Sequence, residues 1–154
     1  MSAWISPIAS AEMAEFSRRT ATENVGLTFT AVGEDWLEGT VPLDERTRTD
    51  EGTLHHGALA ILAETLASVG ATMCVDASRQ VCLGQVLHLQ HAGPVQRGPV
   101  TGRARPLWIR PESQLWEIEV RDGSGERVCV AQLTLAVVDR PANAPAARPG
   151  SPGR

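Results

Sequence analysis

The segment at residues 54–71, LHHGALAILAETLASVGA, restricts the possible folds more than any other part of the chain. Its large apolar side chains recur at steps of three and four residues, which predicts an α-helix from about His56 or Gly57 to about Val75. These side chains are Leu59, Leu62, Leu66, Val69 and Met73. Most other positions carry small residues, and a helix with almost no charged face is expected to be surrounded by protein. Its single carboxylate, Glu64, therefore needs an explanation.

Four runs of alternating apolar and polar residues follow the helix and predict four β-strands. The runs are QVCLGQVLHLQ, VTGRARPLWI, QLWEIEVRD and ERVCVAQLTLAVV. In the third run Trp116, Ile118 and Val120 point to one side, and charged residues point to the other. Pro106 in the second run indicates a bend or a sheet edge.

The sequence before the helix predicts a short helix between about Ser10 and Thr20 and then a β-hairpin, VGLTFTAVGEDWLEGTVPL, with a Gly-Glu-Asp turn. Strands joined by short turns run antiparallel, so the expected fold class is α+β, with an antiparallel sheet wrapped around one long central helix. We expect a single domain over residues 1–139. Residues 140–154 are rich in Pro, Gly and Ala and are predicted to form a disordered tail.

Composition argues against several classes of protein. The 154 residues have a formal net charge of -4 and no dense Lys/Arg run, so no nucleic-acid partner is expected. No stretch approaches about 18 consecutive apolar residues, and the N-terminus lacks the pattern of a secretory signal, so no membrane association is expected. Cys74, Cys82 and Cys129 are odd in number and far apart, which is typical of reduced, partly buried thiols in a cytoplasmic protein.

Glu64 has two interpretations. It is either a structural glutamate at a subunit interface, or a carboxylate that acts as nucleophile or general base. Ser68 lies one turn further along the same helix face, where it could hold a water or a substrate group; its hydroxyl could equally bond back to the helix.

The helix start carries His55, His56 and Gly57. Unpaired N–H groups and the positive end of the helix dipole lie there and can stabilise the oxyanion of a tetrahedral intermediate. Glycine lets a ligand approach the backbone. The alternative interpretation is that the histidines only cap the helix.

His88 and His91 form an H-x-x-H pattern on a predicted strand. Residues three apart point to opposite faces there, and no cluster of Cys, Asp or Glu completes a site, so no metal is expected. His91 faces either the pocket at the helix start or solvent. The chain has no G-x-S-x-G, G-x-G-x-x-G or P-loop motif, and we expect no cofactor.

The stretch TDEGTLHHGALAILAETLASVGA, between a hairpin and four strands, resembles the hotdog-fold acyl-CoA thioesterases. The most similar subgroup contains the 4-hydroxybenzoyl-CoA and 1,4-dihydroxy-2-naphthoyl-CoA hydrolases and their proofreading relatives. The resemblance covers roughly Val25 to Val138, and its specific part is H-x-G followed by A-E. It implies a hotdog fold and hydrolysis of an aromatic acyl-CoA to free acid and CoA.

The resemblance also implies roles for individual residues. Glu64 would attack the thioester or activate water, and the amide of His56 would bind the thioester carbonyl. His55 corresponds to the motif histidine, Ser68 to a hydroxyl on the helix, and His91 to a strand histidine.

Two positions depart from the family pattern. The family usually reads H-G-G, where this chain has His55, His56 and Gly57. The glutamine of the preceding loop, which helps to hold the carbonyl, is replaced by Thr49, whose shorter side chain leaves fewer donors or a bridging water.

The acyl-CoA and a second subunit are the expected partners. Arg103 and Arg105 share one face of a strand and are candidates for the CoA phosphates, although they could be ordinary surface arginines. Glu64 lies about 12 Å along the helix from the His56 amide, so one straight helix cannot bring both to one thioester. We therefore expect a homodimer with shared active sites, assembled into a homotetramer.

Two other functions remain possible on the same fold. The first is dehydration of a 3-hydroxyacyl thioester, which needs a histidine base beside a carboxylate; the position of the helix acid after H-x-G argues against it. The second is a non-catalytic acyl-CoA-binding protein, which would normally carry a DNA-binding domain for which this chain has no room.

Overall fold

The structure is a computed structural model that describes residues 2–141. Its helices are α1 (Ser10–Ser17), α2 (Ala21–Asn24) and α3 (His56–Met73). Its strands are β1 (Thr28–Val32), β2 (Leu37–Val41), β3 (Gln80–His91), β4 (Val100–Ile109), β5 (Ser113–Arg121) and β6 (Arg127–Asp139). Apart from residues 140 and 141, the predicted tail lies outside the described residues.

The strands form one six-stranded antiparallel sheet in the order β1-β2-β4-β5-β6-β3, and α3 packs across one face of it. The predicted apolar positions of α3 face the sheet, and all but the half-buried Val69 are buried. Burial alternates along β5, with Trp116, Ile118 and Val120 fully buried against the helix. This is the α+β arrangement that the periodicity predicts.

Small residues on α3 let the helix approach the sheet. A Cβ built on Gly70 would lie 2.5 Å from Cη2 of Trp116, the largest fully buried side chain. The indole Nε1 donates to Oε1 of the buried Gln114 at 2.8 Å, and Gln114 Nε2 donates to the carbonyl of Ala71 at 3.1 Å. Because buried polar groups need partners, this pair of bonds helps to fix the C-terminal half of α3 over β5.

Several features differ from or extend the sequence predictions. The last strand pairs with β3 on one side and β5 on the other, so β3 lies at the edge of the sheet and does not pair with β4, the strand that follows it in the chain. The short helix α2 was not predicted. Pro106 lies beyond the part of β4 that pairs with β2 and adjoins an irregularity between Pro106 and Trp108, so it marks both a bend and a locally unpaired edge.

Within one chain the face of α3 that carries Glu64 is left uncovered. Glu64 is exposed and Ser68 is half-buried, whereas the sequence predicts a helix surrounded by protein. No helix in residues 2–141 is long and apolar enough to cross a membrane.

Candidate active site

At the first turn of α3 the amide of His56 has no partner among the hydrogen bonds of the described residues. His55 is the N-cap, and its Nδ1 accepts a hydrogen bond from the Gly57 N–H at 2.9 Å. The His55 N–H donates to the carbonyl of Thr47, and the Ala58 N–H donates to the carbonyl of His55. The N–H of His56, the first helical residue, has no acceptor within the helix. The His55 cap thus leaves the His56 amide available to a ligand.

A pocket of about 590 Å³ opens beside this helix start. The imidazole of His56 stacks on that of His91, with ring centroids 3.8 Å apart and an interplanar angle of 8°. His91 pairs with Cys129 of β6, whose side chain is buried beneath α3, so His91 points to the helix side of the sheet. Burial and the neighbouring His56 both lower the pKa of His91. The other residues that line the pocket are Thr49, Thr53, Leu54, His55, Ala92, Gly93 and Pro94.

The loop before α3 holds Thr49 at the edge of this pocket. The Thr49 N–H donates to the carbonyl of Thr53 at 2.7 Å, and the two hydroxyl oxygens are 3.0 Å apart. The Gly52 N–H donates to the Thr49 carbonyl, and Gly52 has a φ of 82°, a conformation that favours glycine. The tight turn therefore places the Thr49 and Thr53 hydroxyls together in the pocket wall.

The Glu64 carboxylate lies on the exposed side of α3, two turns beyond the helix start. The Ser68 hydroxyl donates to its Oε1 at 2.7 Å, so Ser68 bonds to the acid rather than back to the helix. Gly84 of β3 lies beside the same oxygen, since a Cβ built there would be 3.5 Å from it. Eight residues at a rise of about 1.5 Å put Glu64 about 12 Å along the axis from His56. One chain brings Glu64 to Ser68 and Gly84, but not to the pocket at the helix start.

The two candidate arginines lie on the other face of the sheet. Their neighbours in β4, Gly102 and Ala104, face α3, so Arg103 and Arg105 point away from it. Arg103 pairs with Glu38 at 2.7 Å and lies over the ring of Trp36, and Arg105 pairs with Glu117 at 2.9 Å. Both guanidinium groups are thus engaged with carboxylates.

No group of three or more potential metal-binding side chains is found in residues 2–141. His88 pairs with Gln132 on the outer face of the sheet, whereas His91 faces α3. The expected separation of the two histidines is confirmed.

Comparison with known proteins identifies the family. Residues 51–129 match the family model described as "Thioesterase superfamily". The chain belongs to the thioesterase superfamily. It is 38% identical over 119 residues to the proofreading thioesterase EntH of Cronobacter sakazakii, which covers 77% of this chain and 86% of that protein. The crystal structure of thioesterase HI1161 from Haemophilus influenzae superposes with a TM-score of 0.85 at 32% identity, covering 88% of this chain and 94% of that one. A mutant of thioesterase PA1618 from Pseudomonas aeruginosa gives a TM-score of 0.87 at 30% identity, covering 90% and 100%.

The fold is therefore the hotdog fold, and the chain is a thioester hydrolase that acts on acyl-CoA thioesters. This confirms the family resemblance that the H-x-G and A-E motifs carry.

Two residues beside the candidate site residues have no counterpart in the sequence predictions. Gly84 adjoins the Glu64 carboxylate, and Thr53 pairs with Thr49. A glycine inside an alternating strand is a signal for close approach of another group, so Gly84 could have been noticed. The contact of Thr53 depends on the turn at Gly52 and leaves no such signal.

Proposed function

We propose that this thioesterase hydrolyses an aromatic acyl-CoA, with Glu64 as the nucleophile or general base and the His56 amide as the donor to the thioester carbonyl. Single hydrogen-bond donors of this kind contribute strongly to acyl-transfer rates because they stabilise the charge that develops on the carbonyl oxygen. The observation that carries the proposal is the bonding at the first turn of α3, where the His55 cap consumes the Gly57 amide and leaves that of His56 free.

Two neighbouring residues shape the carboxylate side of the proposed site. Ser68 donates to Glu64 Oε1 and restricts the rotation of the carboxylate. Gly84 leaves room beside that oxygen for a water or the thioester carbon, because no side chain occupies the position. Both reaction routes would use this space. Attack by the carboxylate would form a mixed anhydride and expel CoA thiolate, and water would then hydrolyse the anhydride to release the acid and regenerate Glu64. In the other route Glu64 would take a proton from water as the water attacks the thioester carbon, and CoA thiolate would leave to give the acid directly.

A second subunit is needed to complete this site. The carboxylate and the donor amide must each come within about 3 Å of the same thioester group, and they lie about 12 Å apart along one helix. Two antiparallel α3 helices in a C2 dimer would bring each helix start to the other subunit's Glu64. The uncovered face of α3, on which Glu64 and Ser68 lie, supports this arrangement. Assembly of such dimers into a homotetramer and a cytoplasmic location stay predictions.

The shape of the pocket supports an aromatic acyl group. Its volume of about 590 Å³ falls within the range of about 300–1,000 Å³ that is typical of small-molecule sites. The flat His56 and His91 rings form one side, and the hydroxyls of Thr49 and Thr53 offer hydrogen bonds to a ring substituent. Thr49 and Gly57 would line the path of the thioester.

Binding of the CoA phosphates by Arg103 and Arg105 would require both arginines to leave their present ion-pair partners. A phosphate would have to displace Glu38 from Arg103 and Glu117 from Arg105. Replacement of both arginines by glutamine should then raise KM for acyl-CoA and leave KM for a short thioester without the nucleotide unchanged. Equal effects on both substrates would assign the arginines to the surface ion pairs alone.

A panel of acyl-CoA substrates tests the function directly. The protein is incubated with benzoyl-, 4-hydroxybenzoyl-, acetyl-, hexanoyl- and 3-hydroxybutyryl-CoA, and released thiol is measured with a thiol-trapping dye. Aromatic substrates should give the highest kcat/KM. Loss of 3-hydroxybutyryl-CoA without thiol release would indicate a dehydratase, and binding without turnover of any substrate would indicate an acyl-CoA-binding protein.

Glu64→Gln tests the role of the acid, since glutamine keeps the size of the side chain but cannot act as a base or nucleophile. Turnover should fall at least about a hundredfold. Glu126→Gln, at an exposed turn between β5 and β6, is the matched control and should retain wild-type turnover. A Glu64→Gln protein with near-normal kcat would remove Glu64 from the mechanism.

A further inference from the structure

Most of the exposed apolar surface of the strands lies in one quarter of the sheet, where β4 ends and β3 begins. Of the eight large apolar side chains that are exposed in residues 2–141, six lie there, each between 39% and 50% exposed. Single exposed apolar side chains are common on soluble proteins, whereas a contiguous cluster marks an interaction surface. The six are Leu83, Val86, Leu107, Trp108, Ile109 and Val138.

Strand register places this cluster on the outer face of the sheet, away from α3. Trp108 pairs with Leu115, whose neighbour Trp116 is buried against the helix, so Trp108 and Leu115 point outwards. Thr134 pairs with both Leu115 and Val86, so one row of side chains crosses the four strands β4, β5, β6 and β3. Two further rows continue along β6 and β3, with Ala136 opposite Leu83 and Val138 opposite Val81. These three rows form what we call the outer apolar patch.

A row of polar and charged side chains borders the outer apolar patch. Arg105 pairs with Glu117 at 2.9 Å, and Gln132 and His88 complete the row across β6 and β3. Both signs of charge are present and are joined to each other, and the whole chain has a formal net charge of -4. This face therefore presents no positive field to a nucleic acid or an anionic membrane. A surface with both signs is instead complementary to a second copy of itself across a twofold axis.

The area of the outer apolar patch fits a contact between two proteins. At about 4.8 Å between strands and about 3.3 Å per residue, four strands over five residues present about 300 Å². A rim about 5 Å wide around the patch would bring the contact to about 750 Å², and a standard interface buries about 800 Å² on each partner. Rim residues stay in contact with water, so Arg105 remains accessible to the phosphate considered above.

We propose that the outer apolar patch joins two copies of this chain, packed sheet against sheet about a twofold axis. Side chains stand roughly perpendicular to a sheet, so the patch faces a partner above the sheet rather than a strand added beside β3. Two sheets in such a contact lie about 10 Å apart. Because α3 covers the opposite face, this contact and the proposed dimer of antiparallel α3 helices use different surfaces. Together the two contacts would build a tetramer, and the sheet contact does not depend on the proposed function.

Two variants test the contact by placing a carboxylate in the patch, Leu83→Glu and Trp108→Glu. An unpaired charge is costly to bury, and an isologous contact carries each substitution twice. Loss of a hot-spot residue on each side, about thirtyfold per copy, should raise the dissociation constant about a thousandfold. Val32→Glu is the matched control, because Val32 is 37% exposed in β1 at the other edge of the sheet.

Sedimentation velocity across a dilution series measures the mass of each full-length protein, and circular dichroism establishes that each variant is folded. The wild type and Val32→Glu should have twice the mass of Leu83→Glu and Trp108→Glu at the same concentration. Equal masses for the wild type and the folded patch variants would overturn the proposal. The comparison needs no turnover, so it still decides the contact if the protein hydrolyses no acyl-CoA and the proposed function fails.

Hydroxyl-radical labelling read by mass spectrometry measures the exposure of the patch side chains, and in the wild type it does not depend on any variant folding. Leu83 and Trp108 should be protected in the wild type, and Leu83 should become labelled in the dissociated Trp108→Glu protein. Wild-type labelling that matches their exposure in the single chain would overturn the proposal. Protection of Leu83 that persists in dissociated Trp108→Glu would place a segment of the same chain over the patch, and protection that appears only with phosphatidylcholine vesicles would place a lipid surface there. Either result would also overturn the contact between two copies.

Discussion

Mixing two inactive variants of this chain tests the shared active site most directly. Glu64→Ala removes the carboxylate, and His56→Pro removes the amide N–H while placing proline at the first helical position, where helices accept it. The backbone suits this replacement because His55, the preceding residue, has φ −66° and ψ 130°, the extended conformation that a residue before proline adopts.

His56→Pro also removes the imidazole ring, so His56→Gly is the matched control. Glycine lacks the ring and keeps the N–H. Since one oxyanion donor contributes about 10²–10³ in kcat, His56→Pro should be slower than His56→Gly by about that factor. Equal rates in the two variants would mean that the amide makes no contribution.

The expected recovery follows from the composition of the refolded mixture. Random association of equal amounts of the two variants gives about half hybrid dimers. In each hybrid one site combines an intact Glu64 from one chain with an intact His56 amide from the other, and the second site lacks both groups. Half of the dimers with one of two sites working should restore about a quarter of the wild-type activity.

The assay unfolds and refolds the variants separately and as an equimolar mixture, and measures thiol release from the best substrate of the panel. Isotopic labelling of one variant lets native mass spectrometry count the hybrids. Separately refolded variants should remain inactive. Hybrids that form without any recovery of activity would refute the shared site, because the Glu64 carboxylate and the His56 amide would then have to act within one chain.

Three further predictions follow from local contacts. Gly84→Ala should fold normally, since its methyl group would lie at ordinary contact distance. Its kcat/KM should fall at least about tenfold, because the methyl group would fill the space beside the Glu64 carboxylate. An unchanged kcat/KM would mean that the reaction does not use this space. Burial raises the pKa of Cys74 to about 12 and that of Cys82 to about 11. Iodoacetamide at pH 8 should therefore label both thiols at least about a hundredfold more slowly in the native than in the unfolded protein. Similar labelling rates in the two states would refute the burial. Because the pKa of His91 is lowered in the folded state, the unfolded chain binds the proton first as the pH falls. The free energy of unfolding should therefore decrease below about pH 6.5. Urea titrations at pH 7.5 and 5 should show a smaller decrease in this free energy for His91→Gln than for the wild type.

Local patterns predicted the secondary structure well where burial follows the period of one element. The apolar residues of α3 recur with the helical period, and the helix was predicted to within two residues of its observed end at Met73. The alternation around Trp116 in β5 likewise predicted which side chains are buried. The motif at the helix start and the acid that follows it identified the family, and the family match confirms that identification.

The order of the strands and the contacts of the site required the tertiary structure. Periodicity states which face of a strand is buried but not which strand lies beside it, so the position of β3 at the sheet edge could not be read from its alternation. The placement of Gly84 beside Glu64 depends on how α3 crosses that strand, 20 residues further along the chain. The roles proposed for these residues stay predictions.

The histidines at the helix start and on β3 show the same difference between what local sequence and what tertiary structure determines. The sequence by itself determined that His56 begins a helix and that His88 and His91 point to opposite faces of a strand, since these properties follow from neighbours within a few residues. Only the tertiary structure decided that His56 stacks on His91 and that Arg103 and Arg105 pair with carboxylates. Backbone geometry repeats locally and leaves a period in the sequence, whereas side-chain contacts between distant segments depend on how whole elements pack and leave none.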